Sequence, residues 1–417
     1  MKIRNFICLL FSLAFLFSCS DENLPSDNLS KVEPLAKVQD TNYRIDMAAA
    51  TNLIEEAITF LDKEHPSESK SSRRVNSVSI LRFGEIKSSM MKSGEYRGLD
   101  ISDTLAYVFN FGDSLGYVII SNDVRVESPL LAFTKKGSLV NGKTDNPGLK
   151  IFLERLEGYM LESIAKFGKA DDQKEMIIAQ RGPYLGPLEI AVEPLVPVEW
   201  GQGMPFNDNV GGQCINNTGN NKYLAGCAAT ATAQIMAHWK YPTSMGNTSY
   251  NWALLTKYKH GNDFYPSSTD SPTERILKET ARNSVANLFQ RIGTGVGMLY
   301  GCDVSENPGG VQLALYWLSY NYGFASPDFR PYNSSAIKPT LIVYGYPFVA
   351  RGCNANSNDP GCHAWVIDGL ARIHKPNTFF IHNNWGWNGR DNGYYPIGVF
   401  DPLQYNFQDV YMSKAYR

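Results

Sequence analysis

Proline returns at positions 183, 187, 194 and 197 within the run QRGPYLGPLEIAVEPLVPVEW. Each one removes a backbone N–H and fixes φ, so no helix can cross this stretch and an extended linker is favoured. Together with the charged segment KFGKADDQKE ahead of it, the run predicts a domain boundary within residues 168–199. At 417 residues the chain is long enough for two or three domains, each with its own core. A hydrophobic content of 43% with only 19% charged residues describes a globular protein. The formal net charge of −2 leaves no electrostatic footprint for nucleic acid, which is excluded as a partner.

The extreme N-terminus reads as a targeting segment. Lys2 and Arg4 precede the apolar run ICLLFSLAFLFS, which is too short for a stable membrane span, so residues 1–18 are expected to be a signal peptide. The run ends in Leu16-Phe17-Ser18-Cys19, which resembles a bacterial lipobox, with Phe17 as a departure from the usual small or aliphatic residue. On that reading Cys19 is lipidated, polar residues 19–45 form a tether, and the protein is an exported lipoprotein of the cell envelope, at the outer membrane or surface. Ordinary secretory cleavage nearby is the alternative.

Export governs how the seven cysteines are read. Cys8 leaves with the signal and Cys19 is taken by lipid, which leaves Cys214, Cys227, Cys302, Cys353 and Cys362. An odd number in an oxidising compartment means a free thiol or an intermolecular bridge. Cys353 and Cys362 bracket the polar loop NANSNDPG and can form a small disulfide. There is no CxxC and no close histidine pair, so neither metal nor cofactor is expected.

Each side of the boundary has its own pattern. In the first block Ile54, Ala57, Ile58 and Leu61 share a helical face, Thr104–Ser121 reads as a hairpin, and Leu149 to Phe167 repeats at steps of three and four. This block holds one histidine, His65, and no cysteine, which suits a covering or binding domain without chemistry of its own. In the second block a helix from Cys227 to about Lys240 and another over ERILKETARNSVANLFQRIG come first. The strands LIVYGYPFVARG, HAWVIDGLARI, TFFIHNNWGW and NGYYPI follow, an α+β order.

Cys227 opens GCAATATAQIMAHWKYP, directly after a glycine and at the head of an alanine-rich helix. Unpaired N–H groups and the macrodipole favour a thiolate there, and a thiolate nucleophile needs an imidazole partner. His238 sits eleven residues on along the same helix, displaced by roughly 16 Å at ~1.5 Å per residue. His260 and His374 fall in polar loops, which leaves His363, opening HAWVIDG, and His382. His363 is preferred, because it follows a Gly-containing loop and stands 136 residues after Cys227, within the ~130–150 of papain-like enzymes. Asn383-Asn384-Trp385-Gly386 is similar to the Asn-x-Trp-Gly string of those enzymes, in which the Asn orients the imidazole and a Trp shields that bond. Upstream, Gln202 in WGQG can donate to a developing oxyanion beside the Cys227 N–H.

Taken together, these strings resemble the streptopain-type cysteine peptidases, bacterial members of the papain-like clan. GCAATATAQIMAHWKYP matches the family's nucleophile helix at Cys227, GCHAWVIDG its histidine strand at His363, FIHNNWGWNG its Asn-Trp-Gly-Trp segment, and GQGMPFN its oxyanion loop at Gln202. YVFNFGDSLGYVIISNDVRVESPLLAFTKKGSL is similar to the family's inhibitory propeptide. The resemblance implies an α+β propeptide domain over residues 46–170, an activation linker over 171–199, and a papain-like catalytic domain over 200–417 with a helical part and an antiparallel sheet. It implies a zymogen whose own prodomain blocks the cleft or displaces the histidine, protein or peptide substrates, and release of the catalytic domain from the membrane on cleavage. Two features depart from the family: Asn383 stands where an aliphatic residue is usual, and Cys362 replaces a glycine after an enlarged loop. An amidase or transglutaminase using the same Cys–His chemistry, and an inactive surface-binding homologue, are the competing readings.

Overall fold

Strand-forming runs from both sides of the proline-rich stretch join one antiparallel sheet. The computed structural model describes residues 43–64, 73–84, 96, 98–169, 185–214, 222–354, 361–403 and 410–417. The expected signal peptide, Cys19 and nearly all of the tether lie outside the described residues. Residues Tyr43–Arg417 make one compact unit.

The N-terminal block comprises helix α1 (Met47–Glu64), strands β1 (Val75–Arg82), β2 (Thr104–Phe111), β3 (Tyr117–Ser121) and β4 (Leu130–Thr134), and helix α2 (Pro147–Gly168). β2 and β3 are rich in β-branched and aromatic residues and buried almost throughout, as strands covered on both faces must be. Asn146 starts α2: its side-chain oxygen accepts the N–H groups of Gly148 and Leu149, and Pro147 occupies the first turn.

Beyond residue 184 come β5 (Leu188–Val192), helices α3 (Cys227–Trp239), α4 (Pro272–Val296) and α5 (Gly310–Tyr322), and strands β6 (Phe348–Cys353), β7 (Cys362–Ile373), β8 (Thr378–Asn384), β9 (Gly393–Pro396) and β10 (Tyr411–Lys414). Among the described residues the main sheet runs β1-β2-β3-β4-β9-β8-β7-β6-β10, with the two-residue strand Arg330–Pro331 beyond β10. The blocks meet where β4 pairs β9, Phe133 opposite Tyr394 and Thr134 opposite Gly393.

Two expectations are revised. LEIAV, read as part of the linker, is a sheet strand: it pairs with Leu370–Ile373 of β7, beyond the point at which β6 stops opposite Ile367. No proline falls between 187 and 194, so its backbone donors are available, and the Leu188 N–H also donates to Glu56 on α1 at 2.9 Å. The run from Leu341, read as one strand, is extended only from Phe348; residues 340–344 wind into a wide helical turn that Gly345 ends at φ 62°.

β7 organises the interior. Ala364 and Val366 pack with the alanines of α3 and with α4 and α5. Trp365 and Ile367 pack on the opposite face with Phe152 and Leu156 of α2. The period-2 alternation of a strand thus presents one row of residues to the cysteine helix and the next to the N-terminal block.

Candidate active site

Cys227 is the first residue of α3 and the free cysteine among the described residues; Cys214 pairs with Cys302, and Cys353 with Cys362. Gly226 just before it adopts φ 93°, a conformation that favours glycine, and a side chain there would collide with Met298. Burial is the largest influence on the thiol and disfavours its ionisation, the N–H groups of Ala364, Ala228 and Cys227 oppose it, and the Glu306 carboxylate adds to it. The thiol is therefore pushed up, so in this state desolvation outweighs the helix-head effect that the sequence suggested.

The loop carrying Gln202 is fastened to the same helix. The Ala225 N–H donates to the Gln202 backbone oxygen at 2.9 Å, which holds this buried residue beside the turn that leads into Cys227. Further along α3, the Gln234 amide donates to the Trp200 carbonyl at 3.1 Å and to the Asn384 Oδ1 at 3.0 Å. Asn384 returns a hydrogen bond to the Val198 carbonyl at 2.8 Å. One buried glutamine on α3 thus ties together the loop before Gln202, the helix that Cys227 opens and the end of β8.

His363 lies on the other row of β7. Its ring lies nearly parallel to Trp365, 6.3 Å between centroids, and its Nε2–H donates to the Trp385 carbonyl at 2.8 Å. That acceptor fixes the neutral tautomer and leaves Nδ1 unprotonated. Above it sits the first turn of α2. A Cβ on Gly148 would overlap the Trp385 ring and come within 2.9 Å of the His363 Cδ2. Asn146, the cap of that helix, also donates to Asp391 at 3.1 Å. Burial draws the imidazole down to about 4, against the opposing pull of the Trp385 carbonyl. His363 is thus neutral, buried and bonded to Trp385, while the thiol one strand position away is contacted by the Ala364 N–H.

Comparison with known proteins finds similarity in both blocks. The sequence model of the Peptidase C10 family matches residues 200–395, and that of the Spi protease inhibitor matches residues 48–160. Streptopain of Streptococcus pyogenes is 26% identical over 335 residues, which cover 73% of this chain and 77% of streptopain. The chain is a cysteine peptidase similar to streptopain. The thiol protease/hemagglutinin PrtT of Porphyromonas gingivalis is 25% identical over 336 residues, 74% of this chain and 35% of that larger protein. A solved fragment of Prevotella intermedia prointerpain A shares the fold, with a TM-score of 0.51 at 22% identity, covering 81% of this chain and 98% of the fragment. The N-terminal block of the peptidase is accordingly propeptide-like.

The remaining candidate residues of this peptidase fall as follows. Asn383 bonds Trp365, not His363: its amide oxygen accepts the indole N–H at 3.2 Å. Trp385 is fully buried and anchored by its own N–H to the Asp391 carbonyl at 3.0 Å, so both its backbone and its ring meet the histidine environment. His382, the rival histidine, is bonded to buried Asp368 at 2.6 Å. His238 reaches the Leu195 carbonyl at 2.9 Å, and His260 the carboxylate of Glu199 at 2.7 Å. Sequence reasoning missed Asn146 and Gly148. Asn-Pro-Gly is legible as a helix start, but nothing in it says which distant surface that start meets. Among the described residues no group of three or more metal-ligating side chains occurs.

Proposed function

We propose that this peptidase is made as an exported, lipid-anchored zymogen, tethered through Cys19, whose prodomain holds His363 out of register with Cys227. The observation that carries the reading is the His363 ring pinned between the Trp385 carbonyl and Gly148 of α2, with the free thiol of Cys227 at the head of α3. Cutting within residues 171–199 would detach α2 and uncover both groups. Relief from burial raises the imidazole and lowers the thiol, so a proton passes from the Cys227 sulfur to Nδ1, the nitrogen that Trp385 leaves unoccupied. The thiolate then attacks a peptide carbonyl, and the Gln202 amide with the Cys227 N–H holds the oxyanion. His363 protonates the leaving amine, and water hydrolyses the thioester. Trp385 positions the ring directly, and Asn383 acts through Trp365, on which the ring stacks.

The test is a mass-spectrometric time course on residues 20–417 under mild reductant, wild type beside Cys227→Ala, with casein hydrolysis followed in parallel. The wild type is expected to be trimmed within 171–199 and to become active, while the variant stays whole. If neither is trimmed, an added protease cuts the linker; silence in a folded, trimmed domain refutes the reading. The full chain, run alongside, is expected with membranes before trimming and to yield a soluble domain afterwards.

A further inference from the structure

The loop between α4 and α5 forms a small hairpin against the nucleophile, and its chemistry is not used by the reaction above. Leu299 and Glu306 exchange both backbone hydrogen bonds, at 2.7 and 2.9 Å. The hairpin is fastened three times over: by the Cys214–Cys302 disulfide, by the Leu224 N–H to the Gly301 carbonyl at 2.9 Å, and by the Ser305 hydroxyl to the Leu224 carbonyl at 2.6 Å. Met298 and Ser305 are buried and flank Gly226, the residue before Cys227. In a hydrogen-bonded antiparallel pair the side chains share one face, so Leu299 and Glu306 stand together on the rim.

That rim pair is unusual in composition. Leu299 is 64% exposed and Val304 58%, a high exposure for aliphatic residues at a fixed position. Glu306 is exposed as well, with no hydrogen bond or ion pair of its side chain among the described residues. Asp303 is the hairpin's other charged residue, and the segment GMLYGCDVSENPG carries no Lys or Arg. The Glu306 carboxylate is also close enough to Cys227 to disfavour its thiolate, so it lies within electrostatic reach of the reacting sulfur. A solvated surface acid would account for the exposure, but not for an apolar partner on a braced hairpin beside the nucleophile.

We propose that Leu299 and Glu306 form a subsite for a lysine or arginine side chain of the protein substrate, the aliphatic stem lying on Leu299 and the cation meeting Glu306. Long basic side chains bury their stems on apolar surface while keeping the charge at a wet edge, which is what this pair offers. The inference rests on Cys227 being the nucleophile. Its test uses trimmed enzyme and peptides that carry lysine or its uncharged isostere norleucine at each of the four positions ahead of the cut, reading the Lys/norleucine ratio of kcat/KM.

At one position the wild type is expected to favour lysine, and Glu306→Gln to cut that ratio roughly 1.5–5-fold, the range of a single exposed ion pair. Glu306→Lys is expected to invert the ratio, and added salt to shrink it in the wild type alone. Equal ratios for the wild type and both variants overturn the subsite. A wild type that cleaves no peptide after trimming instead overturns the peptidase reading beneath it.

Discussion

At the scale of single residues, the closed state depends on an atom that is absent. Gly148 has no side chain, and the space a Cβ would fill is taken by the Trp385 ring, with the His363 Cδ2 at 2.9 Å. Both rings are fully or almost fully buried and cannot move aside cheaply. Gly148→Ala is therefore expected to destabilise the docked prodomain by about 1–3 kcal/mol, the cost of overpacking a tight contact. In time courses like the one above, the variant should be trimmed faster than the wild type. In a Cys227→Ala background it should unfold at a lower temperature while α2 itself, a helix that alanine suits better than glycine, stays formed. A variant trimmed at the wild-type rate would mean that this contact does not hold the prodomain down.

At the scale of elements, α2 and β7 decide the arrangement between them. The strand's alternation sends Ala364 and Val366 toward α3 and Trp365 and Ile367 toward α2, so a helix laid on that second face covers the row that begins with His363. The register of α2 along β7 is fixed at its N-terminus. Asn146 caps the helix with its oxygen and reaches Asp391 with its amide nitrogen, so one residue starts the element and docks it. Asn146→Ala is expected to cost about 1 kcal/mol for the cap and a similar amount for the lost hydrogen bond to Asp391. Asn146→Asp should restore the cap while placing a second carboxylate against Asp391. If the docking bond matters, both variants release the prodomain faster after linker cleavage; if only the cap matters, the aspartate rescues. Size-exclusion chromatography of the nicked protein separates the two outcomes.

At the scale of the whole molecule, the interface between the blocks buries two titrating groups of opposite sense. His363 is drawn down to about 4, so its contribution to the closed state is fully present above its ordinary value near 6.5 and is lost as pH falls toward 4. Asp391 is pushed up to about 6 by burial, against the pull of Asn146 and Arg390. Its contribution is full below the ordinary carboxylate value near 3.9 and is lost as pH rises toward 6. In the wild type the two largely offset each other between pH 4 and 6. Asp391→Asn removes one of them, so nicked Asp391→Asn should release its prodomain more readily at pH 4.5 than at pH 7. The difference approaches the about 3 kcal/mol that the His363 shift represents, at one unit per ~1.4 kcal/mol. A release rate in that variant independent of pH would show that His363 is not covered by the prodomain in solution.

The sequence by itself determined the parts. Local periodicity and punctuation gave α1, α2, α3 and the strands from β7 to β9, because each depends on residues a few positions apart. Short strings around Cys227, His363, Trp385 and Gln202 carried the proposed chemistry, because a cysteine at a helix head and a histidine at a strand start are local arrangements. Tertiary structure decided the state of that chemistry. Asn383 turning to Trp365, β5 joining the sheet from inside a proline-rich run, and Gly148 closing over His363 all depend on segments far apart in sequence. The thiol's position shows the same division: the helix head favours its ionisation, and only the packing around it supplies the desolvation that prevails.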